Sequence, residues 1–242
     1  MIDFDEFDPF GPEAGFKKIT PTQAEQLVSL AGDDKLAEFK ALQAQLIEAN
    51  DQDYDIRQCL EAAIASSAAN VRNELIEVQG VKPGLSECHT AMKNGQWETL
   101  DYLLSHGADP HEDNDMLIHL GAGYNQVKAL EVLAKHGANN YTPLINDFIT
   151  SNQSQAALYM LENGAVPNTQ TLERACKIEN LTILKHLLAE KGMVPTKEFI
   201  QNMHPRFVAA KHLLTKAYQQ HSFQNKMPPK TKAKPQSKGM KI

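Results

Sequence analysis

Three cysteines in 242 residues, Cys59, Cys88 and Cys176, are too far apart and odd in number for a disulfide framework or a zinc spacing. They fit a reducing compartment. A single Trp and 7% aromatic residues argue against an aromatic-rich β-sandwich. No apolar run reaches the roughly 18 residues that can span a bilayer. The opening "MIDFDEFDPFGPEAGF" is acidic and lacks the basic start and apolar stretch of a secretory signal. A soluble, cytoplasmic protein is the expectation. Gly-rich phosphate loops, HExxH and GxSxG are missing too, as are HxxxH and paired cysteines. No cofactor, no metal and no catalytic site are expected.

The net charge of −6 conceals an asymmetry. Residues 1–16 hold Asp3, Asp5, Glu6, Asp8 and Glu13, whereas residues 226–242 hold six lysines and no acid. The body between them has 25 acidic and 18 basic residues. A nucleic-acid binder would show a basic body, so nucleic acid enters only through the tail.

What the chain does have is a beat. "YLLSHGADP" (102–110) returns as "VLAKHGANN" (132–140), "YMLENGAVPN" (159–168) and "HLLAEKGMVPT" (186–196). Gly80, Gly107, Gly137, Gly164 and Gly192 are spaced by 27, 30, 27 and 28 residues, and Pro83, Pro110, Pro167 and Pro195 follow four of them. A period of this size marks a repeat array. Before each glycine lies an amphipathic segment, such as "WETLDYLLS" with Trp97, Leu100, Leu103 and Leu104 at helical spacing. The glycine ends the helix in the left-handed conformation, and the proline prevents its continuation.

A second short helical segment precedes each phrase, and the breaks between the two read "KNG", "GYN", "TSN" and "IEN". Asn and Gly tolerate a left-handed turn. Two further units lie upstream: residues 20–50, with Thr20 as N-cap, Pro21 as first helical residue and Gln23 in a capping box, and residues 55–80. Residues 196–218 form a last, degenerate unit interrupted by His204-Pro205. The pattern predicts an all-α solenoid of about seven antiparallel helix pairs with shortened loops, the first and last as caps. The repeat domain spans 20–222, between an acidic, aromatic extension (1–19) and a disordered Lys/Pro-rich tail (223–242).

"CHTAMKNGQWETLDYLLSHGADP" (88–110), "LIHLGAGYNQVKALEVLAKHGANN" (117–140), "YTPL" (141–144) and "ERACKIENLTILKHLLAEKG" (173–192) resemble the ankyrin repeat. The resemblance is strong over about 84–192. It implies a stack of helix pairs whose concave face binds another protein. Family repeats run to about 33 residues with a β-hairpin finger, so the shorter intervals here imply trimmed fingers. His89 and His119 match a family histidine that bonds backbone of the adjacent connector. His106 and His136 read as helix ends. Cys59 and Cys88, 29 residues apart, should occupy similar buried positions. Cys88 and His89 are neighbours on a helix and do not face each other, which excludes a catalytic pair.

The candidate partner-binding residues lie between the copies of the beat. "DPHEDND" (109–115) falls in the longest interval and is the best candidate for a retained finger, with Asp109, Glu112, Asp113 and Asp115 available to a basic partner. Tyr124 and Ile178 occupy turn positions that face the concave side in the family. In "FDEFDPFGP" (4–12), Phe4, Phe7 and Phe10 either cover the first repeat or fold onto a partner. Asp8-Pro9-Phe10 resembles a motif read by endocytic adaptors. The tail resembles the export tails of bacterial type IV effectors, which would place the protein in a host cell. The leading expectation is a protein-binding module acting as an effector or inhibitor. Two alternatives stay open: a binder of anionic surfaces (nucleic acid or lipid) through the tail, and an enzyme with an unrecognised site.

Overall fold

The computed structural model describes residues 22–49, 54–124 and 126–226. The segment with Phe4, Phe7 and Phe10, the Thr20-Pro21 pair, and all but the first four residues of the expected tail lie outside the described residues. Among the described residues there are helices and no strand. They run α1 (Gln23–Gly32), α2 (Leu36–Glu48), α3 (Ile56–Ala65), α4 (Ala69–Asn73) extended by a π turn (Glu74–Val78), α5 (Leu85–Lys93), α6 (Trp97–Ser105) and α7 (Glu112–Gly123). Then follow α8 (Val127–Lys135), α9 (Ile145–Thr150), α10 (Ser154–Glu162), α11 (Thr169–Lys177), α12 (Leu181–Ala189), α13 (Lys197–Asn202) and α14 (Val208–Lys226). They form seven consecutive pairs of an all-α, ankyrin-like helical repeat. The last helix continues past residue 222, where the repeat domain was expected to end.

The chain divides into two compact units, with the boundary between Leu117 and Ile118, inside α7. In the first unit α1 packs on α3 and α3 on α5, while α2 packs on α4. In the second, α9 packs on α11, and α8, α10, α12 and α14 form a row. First helices thus stack on first helices and second on second. Leu60, Leu75, Met92, Leu100 and Leu103 are fully buried in the first core, and Ile118, Leu130, Tyr141, Leu184 and Leu187 in the second.

The beat is a hydrogen-bond motif. Ala108 N–H donates to Leu103 O (3.1 Å), Ala138 to Leu133 (3.0 Å) and Ala165 to Met160 (2.9 Å). Each bond spans a glycine of positive φ: Gly107 (101°), Gly137 (94°) and Gly164 (107°). This is the left-handed helix ending that satisfies otherwise orphaned carbonyls. A Cβ built on Gly107 meets nothing within 4 Å, so Gly107→Ala isolates the backbone strain. It should destabilise the chain by about 1 kcal/mol or more, read as a lowered urea midpoint, with partner binding unchanged.

The same ending recurs between the helices of the second, third, fifth and sixth pairs. Ala68 N–H reaches Ala63 O (2.7 Å), Gln96 reaches Ala91 (2.9 Å), Gln153 reaches Phe148 (3.0 Å) and Asn180 reaches Ala175 (3.1 Å). The left-handed residues are Ser67, Gly95, Asn152 and Glu179. In "IEN" Glu179 takes that conformation and not the asparagine, because Asn180 caps α12 by accepting from Ile183 N–H (3.1 Å). Side chains tie successive turns together. The Gln96 amide donates to Ser67 Oγ (2.8 Å) and the Gln153 amide to Gly123 O (2.8 Å).

Two local expectations are corrected. The cap of α1 is Thr22, not Thr20: Glu25 N–H donates to Thr22 Oγ1 (3.2 Å) and Thr22 N–H to Glu25 Oε2 (2.7 Å). The box forms where its third residue is a carboxylate. Cys59 and Cys88 do fall at similar positions, each the fourth residue of a first helix and fully buried. The connector 109–115 is no hairpin finger. It is a tight turn with Asp113, Asn114 and Asp115 at φ 51°, 56° and 62°.

Candidate functional site

The six expected contact residues fall into three places. In the first unit, the 109–115 turn spends its acids on itself and its neighbour. Asp109 Oδ1 accepts from His111 N–H (2.8 Å), and His111 Nδ1 lies 2.6 Å from Asp115 Oδ1. Glu112 Oε2 accepts from Leu85 N–H (2.9 Å) at the start of α5. At the same helix start the buried Glu87 accepts from Gly84 N–H (2.9 Å) and pairs with Arg57 (3.2 Å). Asp113 is exposed. In the second unit, Tyr124 is 44% exposed in the turn between α7 and α8. Ile178, the residue after α11, lines a groove.

That groove lies on the second unit. It lies along the first helices and has two adjoining lobes that share Glu173 and Lys177. One lobe, about 250 Å³, is lined by Thr150, Gln170, Arg174 and Ile178. Arg174 donates to Thr150 Oγ1 (2.7 Å) and stands 3.7 Å from Asp147. The apolar lobe, about 220 Å³, is lined by Cys176, Phe199, Asn202, Met203, His204 and Phe207. Its volume is below the range usual for drug-sized ligands and matches a single inserted side chain.

Proline explains why the groove exists. In each of the other pairs three residues separate the helices. In the last pair Pro205 disfavours helical backbone at His204, so α13 stops at Asn202 and Met203 turns extended (φ −63°, ψ 137°). The chain then bends through a turn in which Phe207 N–H bonds His204 O (3.1 Å). The longer break sets Phe207 beside Phe199 and Met203. Arg206 lies over the Phe207 ring, 4.5 Å from its centroid, and the His204 ring meets it edgewise at 6.1 Å. Phe199 and Phe207 are only partly buried.

The floor is chemically quiet. Burial, and then the charge of Glu173, push the Cys176 thiol up to about 12, so at neutral pH it is an uncharged apolar surface and not a nucleophile. Among the described residues, no group of three or more His, Cys, Asp or Glu is arranged to hold a metal ion. No helix among them is long and apolar enough to cross a membrane.

Sequence reading found Ile178 but missed Glu173, Lys177, Phe199, Met203 and Phe207. The signal was the His204-Pro205 break, which interrupts the last unit.

No curated protein matches the chain. The family model of the ankyrin repeat matches residues 84–115, one repeat that begins at the cap of α5 and ends in the 109–115 turn. That repeat is similar to the ankyrin repeat, and helix pairs of the same plan precede and follow it in the chain.

Proposed function

We propose that the protein binds another protein through the first-helix face of its second unit, and acts by occupying a surface. Ankyrin repeats are generally binding modules rather than enzymes, which sets the class. The observation that carries the site is the groove at α11 and α13, where the partly buried Phe199 and Phe207 line an apolar floor beside charged side chains. Apolar surface left open next to a polar rim is characteristic of a contact site.

The full chain, immobilised, should retain a partner protein, and Lys177→Glu should lose it. Lys177 is exposed, so this change leaves the core intact. Tyr124→Ala reports on the turn between α7 and α8, on the same row of turns as Ile178. Loss with both variants extends the contact along the row, and loss with Lys177→Glu alone confines it to the groove. Retention by both would overturn the reading.

A further inference from the structure

The groove also indicates what kind of segment it takes. Its floor is Phe199, Met203, Phe207 and the neutral Cys176, with Met203 only 9% and Cys176 only 3% exposed. One aromatic side chain fills such a space, and its ring would meet the edges of two phenylalanines, a geometry aromatic pairs favour. Around that floor the cations outnumber the acids. Lys177 and Arg174 line the lobes, Arg206 covers Phe207, and the acids are Glu173 and, beyond Arg174, Asp147. Asp147 is already engaged by Arg174, which leaves Lys177 and Arg206 against Glu173.

We propose that the groove receives an acidic, phenylalanine-bearing peptide segment of a partner protein, the ring entering the apolar lobe and flanking carboxylates meeting Lys177 and Arg206. This rests on the reading that the α11–α13 face is the binding face, and adds the chemistry of the occupant. Opposite charge on the rim favours encounter and fixes register, while burial of the ring supplies the affinity. The chain itself contains a stretch of this chemistry at 3–10, with Phe4, Phe7 and Phe10 among Asp3, Asp5, Glu6 and Asp8. It supplies a ready probe.

The test titrates a fluorescent synthetic peptide of residues 3–12 with the full chain. In that chain Phe4, Phe7 and Phe10 are replaced by Ala so that its own segment does not compete. Binding is expected, weakened by raised salt because the charged contacts are exposed. Changing the peptide's phenylalanines to alanine should weaken it about tenfold or more. Changing its acids to lysine should weaken it similarly, and Lys177→Glu in the protein should restore the lysine peptide while losing the acidic one. That charge swap does not depend on the fold being perturbed. Equal binding of acidic and basic peptides, each lost with Phe207→Ala, would overturn the stated chemistry and leave the face as a binding surface. Binding unaffected by Phe207→Ala and Lys177→Glu, in a chain whose captured partner is equally unaffected, would overturn both.

Discussion

Leu103→Ala should destabilise the protein by about 2–5 kcal/mol, the range for emptying a packed leucine site. Leu103 is fully buried on α6, next to Leu100 and Leu104, which face the same core. Alanine is the best helix former, so the helix itself is not weakened. What is lost is apolar contact, plus the cavity left when α5 and α6 cannot close over it. The effect is large because a domain's net stability is only about 5–15 kcal/mol. Urea unfolding followed by circular dichroism gives the number. An unchanged midpoint would mean that α6 presents a different face. Lys93→Ala, at an exposed end of α5, is the control and should change little.

Much of this fold was legible because it rests on local chemistry. A glycine that ends a helix is required by the backbone at its own position, so Gly107, Gly137 and Gly164 reveal the repeat before any packing is known. The failures are also local, and they have one cause: two rules competing for neighbouring residues. Asn180 suits a left-handed turn and a helix cap equally well. It took the cap, and Glu179 was left with φ 51°. Thr20 and Thr22 are both plausible caps, and the carboxylate of Glu25 decided between them. The π turn at Glu74–Val78 has no local signature. It is held by partners distant in sequence: Glu74 meets Lys40 at 3.0 Å, and Glu77 accepts from the Tyr102 hydroxyl at 2.7 Å.

The candidate site was less legible for the same reason. Acids such as Glu112 look available in a sequence, yet a carboxylate near a helix start is as readily used as a cap. Conversely, Phe199 and Phe207 look like core. Only the break at Pro205, combined with the placement of α11 beside α13, makes them line a groove. Composition and spacing give the class of residue; whether it is spent on the fold depends on contacts made across pairs.

A second large effect is expected from alkali. Burial pushes the Cys59 thiol up to about 11, with the nearby Asp55 charge adding to it. Burial, then Glu87 and Glu112, push Cys88 up to about 12, and Cys176 rises to about 12 for the reasons given above. In the unfolded chain each thiol ionises near ~8.5. A raised native value means the folded state holds its proton longer. The stability contributed by this preference is therefore complete below the unfolded value and is lost as pH climbs toward 11 and 12. Each thiol in that window removes about 1.4 kcal/mol per pH unit, so the three together approach about 4 kcal/mol per unit. The urea midpoint should fall steeply between about pH 9.5 and 10.5, a decline that neutral-pH data would not suggest. Replacing Cys59, Cys88 and Cys176 by alanine should flatten it while leaving neutral-pH stability lower by the lost packing alone. Tyr102 and Tyr141 are raised as well, chiefly by burial. Their unfolded value is near ~10, so their contribution starts later. If the triple variant keeps a slope that begins near pH 9, the thiols are not its source. The same burial predicts that a thiol reagent at pH 8 labels none of the three cysteines in the folded chain and all three once urea has unfolded it.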